Sequence, residues 1–109
     1  MSQLKTYKHT VEMVGDTTFT GAVPPGFMLE SIVFVNSTAN AATLDLGTSS
    51  GAEDVFEQQV IGASGITTVV INKTFSMLTR QSLYLNDDGA GTWNSASLTA
   101  ILLMRMVMI

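Results

Sequence analysis

Hydrophobic and polar residues alternate along several short segments of the chain, and breaks rich in Gly, Asn, Asp and Pro separate these segments. The stretch Lys5 to Met13 shows the alternation most clearly, because Tyr7, His9 and Val11 share one face of it. A period of two is typical of a half-buried β-strand. The pattern predicts further strands at Thr17 to Thr20, Phe27 to Asn36, Thr43 to Gly47, Ile66 to Asn72, Ser82 to Asn86 and Ser97 to Val107.

One segment, Ala52 to Gln59, is open to two interpretations. Glu53 and Asp54 would suit the first turn of a helix, whereas Val55 and Phe56 fit a strand, which we favour. With it the chain has about eight strands, spaced by roughly ten residues, and no long helical period competes with them. This regular spacing of short strands predicts an all-β fold, a jelly-roll-like antiparallel β-sandwich that forms a single domain over residues 1–109.

Two of the predicted strands are apolar on both faces. Ile32 to Val35 is a continuous apolar run, and the last strand has apolar residues at both parities. The face that does not meet the core needs a cover, which can be a loop of the same chain or a second copy of it. The residues that we predict at an interface between copies are Leu102, Met104, Met106, Met108, Ile109, Val33 and Val35.

Composition narrows the classes of function. Charged residues make up 13% of the chain, and the formal net charge is −4. The five basic residues are scattered, so we expect no binding to nucleic acid. The N-terminal residues lack the apolar core of a signal peptide, and the apolar stretch Leu98 to Ile109 is too short to cross a membrane and contains Arg105. We therefore expect no signal peptide, no transmembrane segment and no membrane partner.

The candidate catalytic and metal-binding residues are few. His9 is the only histidine and no cysteine is present, so a zinc site and thiol chemistry are not expected. Glu53, Asp54 and Glu57 are better explained as a solvated acidic edge than as a glycosidase pair. The segment Asn86 to Gly89 fits a tight turn better than a calcium loop. We predict no catalytic residue, no cofactor and no metal, which argues against an enzyme, including a small hydrolase.

Two aromatic residues flank a glycine-rich loop near the C-terminal strand. Tyr84 and Trp93, with Asp87 and Asn94, resemble the edge of a sugar-binding site, where an aromatic ring stacks on the sugar. The simpler interpretation is that Trp93 closes the end of the core and donates its indole N–H to a nearby carbonyl. A carbohydrate-binding module is thus the alternative function.

The segment Pro24 to Gly51, with its spacing P-x-G-x-x-L-x-x-I followed by N-x-T-x-N-A-x-x-L-x-L-G-T, resembles small all-β proteins of tailed phages and prophages. The resemblance continues at Phe75-Ser76 and over Leu83 to Leu103, and covers about three quarters of the chain. These relatives are head-decoration, head-fibre and tail-accessory proteins. The resemblance implies a non-enzymatic virion protein that assembles with itself, favouring a homotrimer, and with other virion proteins.

Overall fold

The alternating segments form eight β-strands in the computed structural model of the chain, which describes residues 6–89 and 91–107. The strands are β1 (Thr6–Met13), β2 (Thr17–Val23), β3 (Phe27–Asn36), β4 (Ala42–Gly47), β5 (Phe56–Ile61), β6 (Gly65–Thr74), β7 (Gln81–Asp87) and β8 (Leu98–Met106).

The strands form two four-stranded sheets that pack face to face. The first sheet has the strand order β1-β8-β3-β6 and the second has the order β2-β7-β4-β5. Every pair of neighbours is antiparallel. Successive strands therefore mostly lie in opposite sheets, and their connections cross an end of the sandwich, whereas β4 and β5 are neighbours in the second sheet. The predicted all-β antiparallel β-sandwich of about eight strands is confirmed, whereas its likeness to a jelly roll stays a prediction.

The strand limits differ from the predicted ones where a bulge or a loop intervenes. β2 continues past Thr20 to Val23, because Gly21 takes a positive φ of 57° and the pairing with β7 shifts there. The ambiguous segment becomes a strand only from Phe56 onward. Pro24 to Phe27 form a turn, in which Gly26 has a φ of 77° and the Phe27 N–H donates to the Pro24 carbonyl.

The core fills the space between the sheets. β3 and β8 contribute the centre of the first sheet, while β4 and β7 contribute the centre of the second, and burial of each large apolar side chain stabilises the fold by about 1.5–3 kcal/mol. Its largest fully buried side chains are Phe19, Leu29, Ile32, Phe34, Leu44, Leu46, Ile61, Leu83, Leu85, Leu98, Leu102 and Met104.

One buried amide joins two connections at the end of the sandwich. The Asn36 side chain, only 2% exposed, donates from Nδ2 to the carbonyls of Asn40 (2.8 Å) and Gly62 (3.1 Å). Its Oδ1 accepts from the N–H and the hydroxyl of Thr38. Asn36 therefore has partners for both donor and acceptor, as burial of a polar group requires.

Candidate functional site

The first sheet carries an apolar patch on the side that faces away from the second sheet. We call this side the outer face. Ile66 and Val70 on β6 are each 70% exposed, which is unusual for residues of a well-formed strand. The remaining apolar members are half-buried among their neighbours on β3 and β8. The apolar residues of the outer face are Met28, Val33, Val35, Ile66, Val70, Ile101 and Leu103.

Strand register arranges the outer face in parallel rows. The central row runs Thr10–Ile101–Val33–Thr68 across β1, β8, β3 and β6. Two outer rows flank the central row. Two residues further along β1 lies the row Glu12–Thr99–Val35–Ile66, and two residues earlier along β1 lies the row Lys8–Leu103–Ser31–Val70. The apolar residues are thus contiguous, and polar side chains of β1 border them.

The structure corrects part of the predicted interface. Leu102 and Met104 are 0% and 1% exposed and lie in the core, so their side chains are not available to a second copy. Ile101 and Leu103, at the other parity of β8, face outward instead.

The other predicted interface residues divide into three groups. Val33 and Val35 lie on the outer face and are partly exposed. Met106 is partly buried and pairs with Phe27 at the end of the first sheet. Met108 and Ile109 lie outside the described residues. Whether any of these residues contacts another copy remains a prediction.

A groove of about 400 Å³ opens at one end of the outer face. Beside it, Glu30 is the extra residue of a bulge in β3, between Leu29 and Ser31 in the pairing with β8. The bulge places the Glu30 carboxylate 3.2 Å from Nε of Arg105, and both side chains are about 40% exposed. An ion pair this exposed adds little stability, but it balances the charges of Glu30 and Arg105, so that Lys8 carries the remaining charge beside the groove. The groove is lined by Thr6, Tyr7, Lys8, Glu30, Leu103 and Met104.

Trp93 closes the end of the core next to the β1–β2 turn. The side chain is 8% exposed, and its indole N–H donates to Oδ1 of Asp16 over 2.7 Å. The same oxygen accepts the N–H of Asp87 at 2.9 Å. The partner is thus a carboxylate, where the sequence suggested a carbonyl. Burial of the ring matches the structural interpretation and removes the platform on which a sugar would stack.

The other residues of the glycan hypothesis serve the loop and the second sheet. Asn94 has a positive φ of 52° and donates from Nδ2 to the Ala41 carbonyl. Tyr84 lies in β7, where it pairs with Thr18 and Gly47, and is partly exposed. The structure does not bring an exposed indole beside Tyr84.

A cluster of acidic residues on the second sheet escaped the sequence analysis. Carboxylate oxygens of Asp45, Glu53 and Asp88 all lie within 4.8 Å of one another. Asp45 is only 8% exposed, and its Oδ1 accepts the N–H of Gln58 at 2.8 Å. Oxygen ligands of this kind suit a hard divalent cation such as Ca²⁺, although Ca²⁺ requires six to eight of them.

The β4–β5 loop assembles this cluster by folding back over β4. Gly47 allows the fold, because a Cβ there would lie 2.3 Å from the Ala52 carbonyl oxygen. Asp54 holds the loop closed: its carboxylate accepts the N–H of Thr48 at 2.8 Å and the Thr48 hydroxyl at 2.6 Å. Glu53 is thereby carried over Asp45. The outward position of Asp45 was predictable from alternation, but the return of the loop was not.

The carboxyl groups of the cluster disturb one another's ionisation. A side-chain hydrogen bond with Glu57, followed by repulsion from the same group, raises the pKa of Glu53. Desolvation is the largest cause of the raised pKa of Asp88, and close contact with Asp45 is the next. Asp54 behaves in the opposite way, since the hydrogen bonds from Thr48 stabilise its charged form and lower its pKa.

His9 lies on the inner side of the edge strand β1, partly buried and paired with Leu102. This placement fits a histidine that packs in the fold or at an interface. No helix in the described part of the chain is long and apolar enough to cross a membrane.

Comparison with known proteins gives a structural likeness. No protein-family model matches the chain, and no curated protein matches it. Among solved structures, the chain is similar to a chain of the cyanophage Pam1 capsid asymmetric unit, with a TM-score of 0.50 and 14% sequence identity. The likeness covers 96% of this chain and 85% of the other. At this identity it shows a shared fold.

Proposed function

We propose that the protein is a non-enzymatic structural component of a bacteriophage virion. It belongs on the particle, as a head-decoration, head-fibre or tail-accessory protein, and acts through surface contacts with copies of itself and with other virion proteins. The observation that carries this proposal is the likeness of fold to a chain of a phage capsid asymmetric unit over 96% of this chain.

Two features of the chain support the proposal independently. The outer face offers a contiguous apolar surface, and such patches mark protein–protein contacts. The candidate residues for chemistry support the proposal too, because Trp93 is buried and His9 is partly buried on the inner side of β1. Glu57 is the main cause of the raised pKa of Glu53, and loss of solvent followed by contact with Asp45 raises the pKa of Asp88, so the surroundings account for both shifts without a reaction.

The decisive experiment is to look for the protein on purified particles. Virions from an induced or infected culture are banded in a density gradient, and the fractions are analysed by mass spectrometry and by immunogold labelling with antibody against the recombinant protein. We expect the protein to co-sediment with the major capsid protein at a fixed ratio, with gold on intact particles. Detection only in the particle-free fraction would refute a virion role. Genes for capsid, portal and tail proteins beside its own would add independent support.

A further inference from the structure

We propose that the outer face is the contact surface of a two-fold symmetric dimer of this chain, in which Lys8 of each copy lies opposite Glu12 of the other. This proposal rests on the proposed function, in which the protein acts through its surfaces. The partner is a second copy of the chain, and Lys8 and Glu12 set the register between the two copies.

The first reason is the exposure of apolar side chains on a strand face. Ile66 and Val70 leave 70% of their surface in water, and the half-buried Val33, Ile101 and Leu103 extend the patch across β3 and β8. Water contact of this kind is unfavourable, and a contiguous patch on a sheet is a site for association or aggregation. A single partner that binds specifically over the patch removes both the water contact and the risk of aggregation.

The second reason is charge. The strand residues that carry charge on the outer face are Lys8, Glu12, Glu30 and Arg105, two of each sign. The chain as a whole carries a net charge of −4, so its acidic excess lies elsewhere, and much of it is in the cluster on the second sheet. Two copies repel each other least when their neutral faces meet. The outer face is therefore the surface on which a second acidic copy is tolerated best.

The third reason is the symmetry of the rows. Lys8 and Glu12 stand two residues either side of Thr10 on β1, and Val70 and Ile66 stand two residues either side of Thr68 on β6. A two-fold axis along the central row, between two facing copies, exchanges the two outer rows. It lays Lys8 over Glu12 at one edge and Val70 over Ile66 at the other. An isologous interface needs such self-complementarity, because each contact occurs twice.

The size of the face is sufficient for this contact. Four strands at a spacing of about 4.8 Å and nine residues of β8 at about 3.3 Å each give roughly 600 Å² of flat area per copy. Two such faces bury roughly 1,200 Å², which is the lower end of the range for specific protein–protein interfaces. Aligned sheets pack within about 30° of each other, which keeps the exchanged rows in reach.

The test combines charge reversal with a measurement of mass. Light scattering after size exclusion, and sedimentation equilibrium over a concentration series, should show a species of twice the 11.6 kDa chain mass at micromolar concentration. K8E and E12K should each weaken the dimer about tenfold, because each change places two like-charged pairs in one dimer. The double variant K8E/E12K exchanges the two charges and should recover most of the lost affinity.

Ile101→Glu, on β8, puts a charge on the two-fold axis and should give a monomer. Its matched control lies on the second sheet: Val60→Glu, at an exposed position of β5, should leave the dimer intact. Glu57→Lys, also on β5, controls for charge reversal away from the face. Circular dichroism and thermal melts establish that each variant is folded. The proposed register would be overturned if the folded variants K8E and E12K had the same dimer dissociation constant as the wild type. It would also be overturned if the double variant K8E/E12K formed a weaker dimer than either single variant.

Other results separate this inference from the proposed function. A wild-type chain that stays monomeric up to about 1 mM would overturn the dimer, and a trimer would overturn its two-fold symmetry. Neither result touches the virion role, which the gradient experiment tests by itself. Conversely, a dimer with the expected charge exchange stands even when the protein is absent from particles.

Discussion

The contact between Asp16 and Trp93 provides a sharp test of how the open end of the sandwich is held together. One carboxylate oxygen accepts the Trp93 indole N–H at 2.7 Å and the Asp87 N–H at 2.9 Å. It thus connects the β1–β2 turn, the end of β7 and the loop before β8. Asp16→Ala removes this acceptor and both of its hydrogen bonds, and it leaves the indole N–H, on a side chain that is 8% exposed, without its partner.

The size of the effect follows from the exposure of the groups involved. A hydrogen bond to a charged group contributes about 1.5–3 kcal/mol when it is shielded from solvent. Asp16 itself is exposed, and water competes for its carboxylate, so each of the two bonds is reduced to about 1 kcal/mol. We expect Asp16→Ala to lower the free energy of unfolding by about 2 kcal/mol. Asp16→Asn keeps an acceptor oxygen, and we expect it to cost about half as much.

The assay uses the fact that Trp93 is the only tryptophan. Urea denaturation is followed by fluorescence and far-UV circular dichroism in parallel, and coincident transitions establish two-state unfolding. Native emission should be blue-shifted and resist iodide quenching in the wild type, and shift to the red in Asp16→Ala. Trp93→Ala, followed by circular dichroism, should cost about 3–5 kcal/mol, as for other large-to-small changes in a core.

A double-mutant cycle isolates the hydrogen bond from the packing of the ring. Trp93→Phe keeps most of the apolar surface and lacks the N–H donor, so Asp16→Ala in that background should cost about 1 kcal/mol less than in the wild type. The reasoning is refuted when Asp16→Ala stays within about 0.5 kcal/mol of the wild type. A readily quenched Trp93 in the wild-type protein would also contradict it, and would revive the carbohydrate-binding alternative.

Three further predictions concern the β4–β5 loop and the acidic cluster. Gly47→Ala should destabilise the protein by about 3 kcal/mol in urea denaturation, since the new Cβ would overlap the Ala52 carbonyl, whereas Gly15→Ala, with open space around it, should change stability by less than about 1 kcal/mol. The pKa values of Glu53 and Asp88 are raised in the folded state, so the melting temperature should increase as pH falls from neutral towards about 4. Below that pH it should decrease, because Asp54, whose pKa is lowered, becomes protonated. If Glu53→Gln leaves the dependence of melting temperature on pH unchanged, this assignment is contradicted. Chelator should leave the melting temperature unchanged, and a clear decrease would reveal a bound ion.

Strand positions were predictable from the sequence because most strands carry their own period of two, and the others are continuous apolar runs between polar breaks. Strand pairing was not predictable in the same way. β3 lies between β8 and β6, partners far from it along the chain, and no local pattern encodes this choice. The bulge at Glu30 and the one after Phe19 shift the register, and each depends on the neighbouring strand as well as on its own residues.

The acidic cluster shows a second limit of sequence reasoning. Glu53 and Asp88 are 35 positions apart in the chain and meet only because the β4–β5 loop folds back onto β4. The residues that permit this return are a glycine and a loop-closing aspartate, Gly47 and Asp54. Both are ordinary loop residues by composition. Their role becomes visible only in the structure, from the short distance between Gly47 and the Ala52 carbonyl and from the hydrogen bond that Asp54 accepts.

The interface prediction failed in part for a reason that applies to any strand with two apolar faces. Alternation divides β8 into two sets, but when both sets are apolar the period does not say which one meets the core. The polar minority decides: Thr99 and Arg105 share a parity with Ile101 and Leu103, so that set faces out, and Leu102 faces in with 0% exposure. A single arginine can reach water from a strand end only on the outer side, since a buried unpaired charge is too costly. Arg105 therefore identifies the outer face of β8, and two other charged residues on that face, Lys8 and Glu12 of β1, give it the self-complementarity on which the proposed dimer depends.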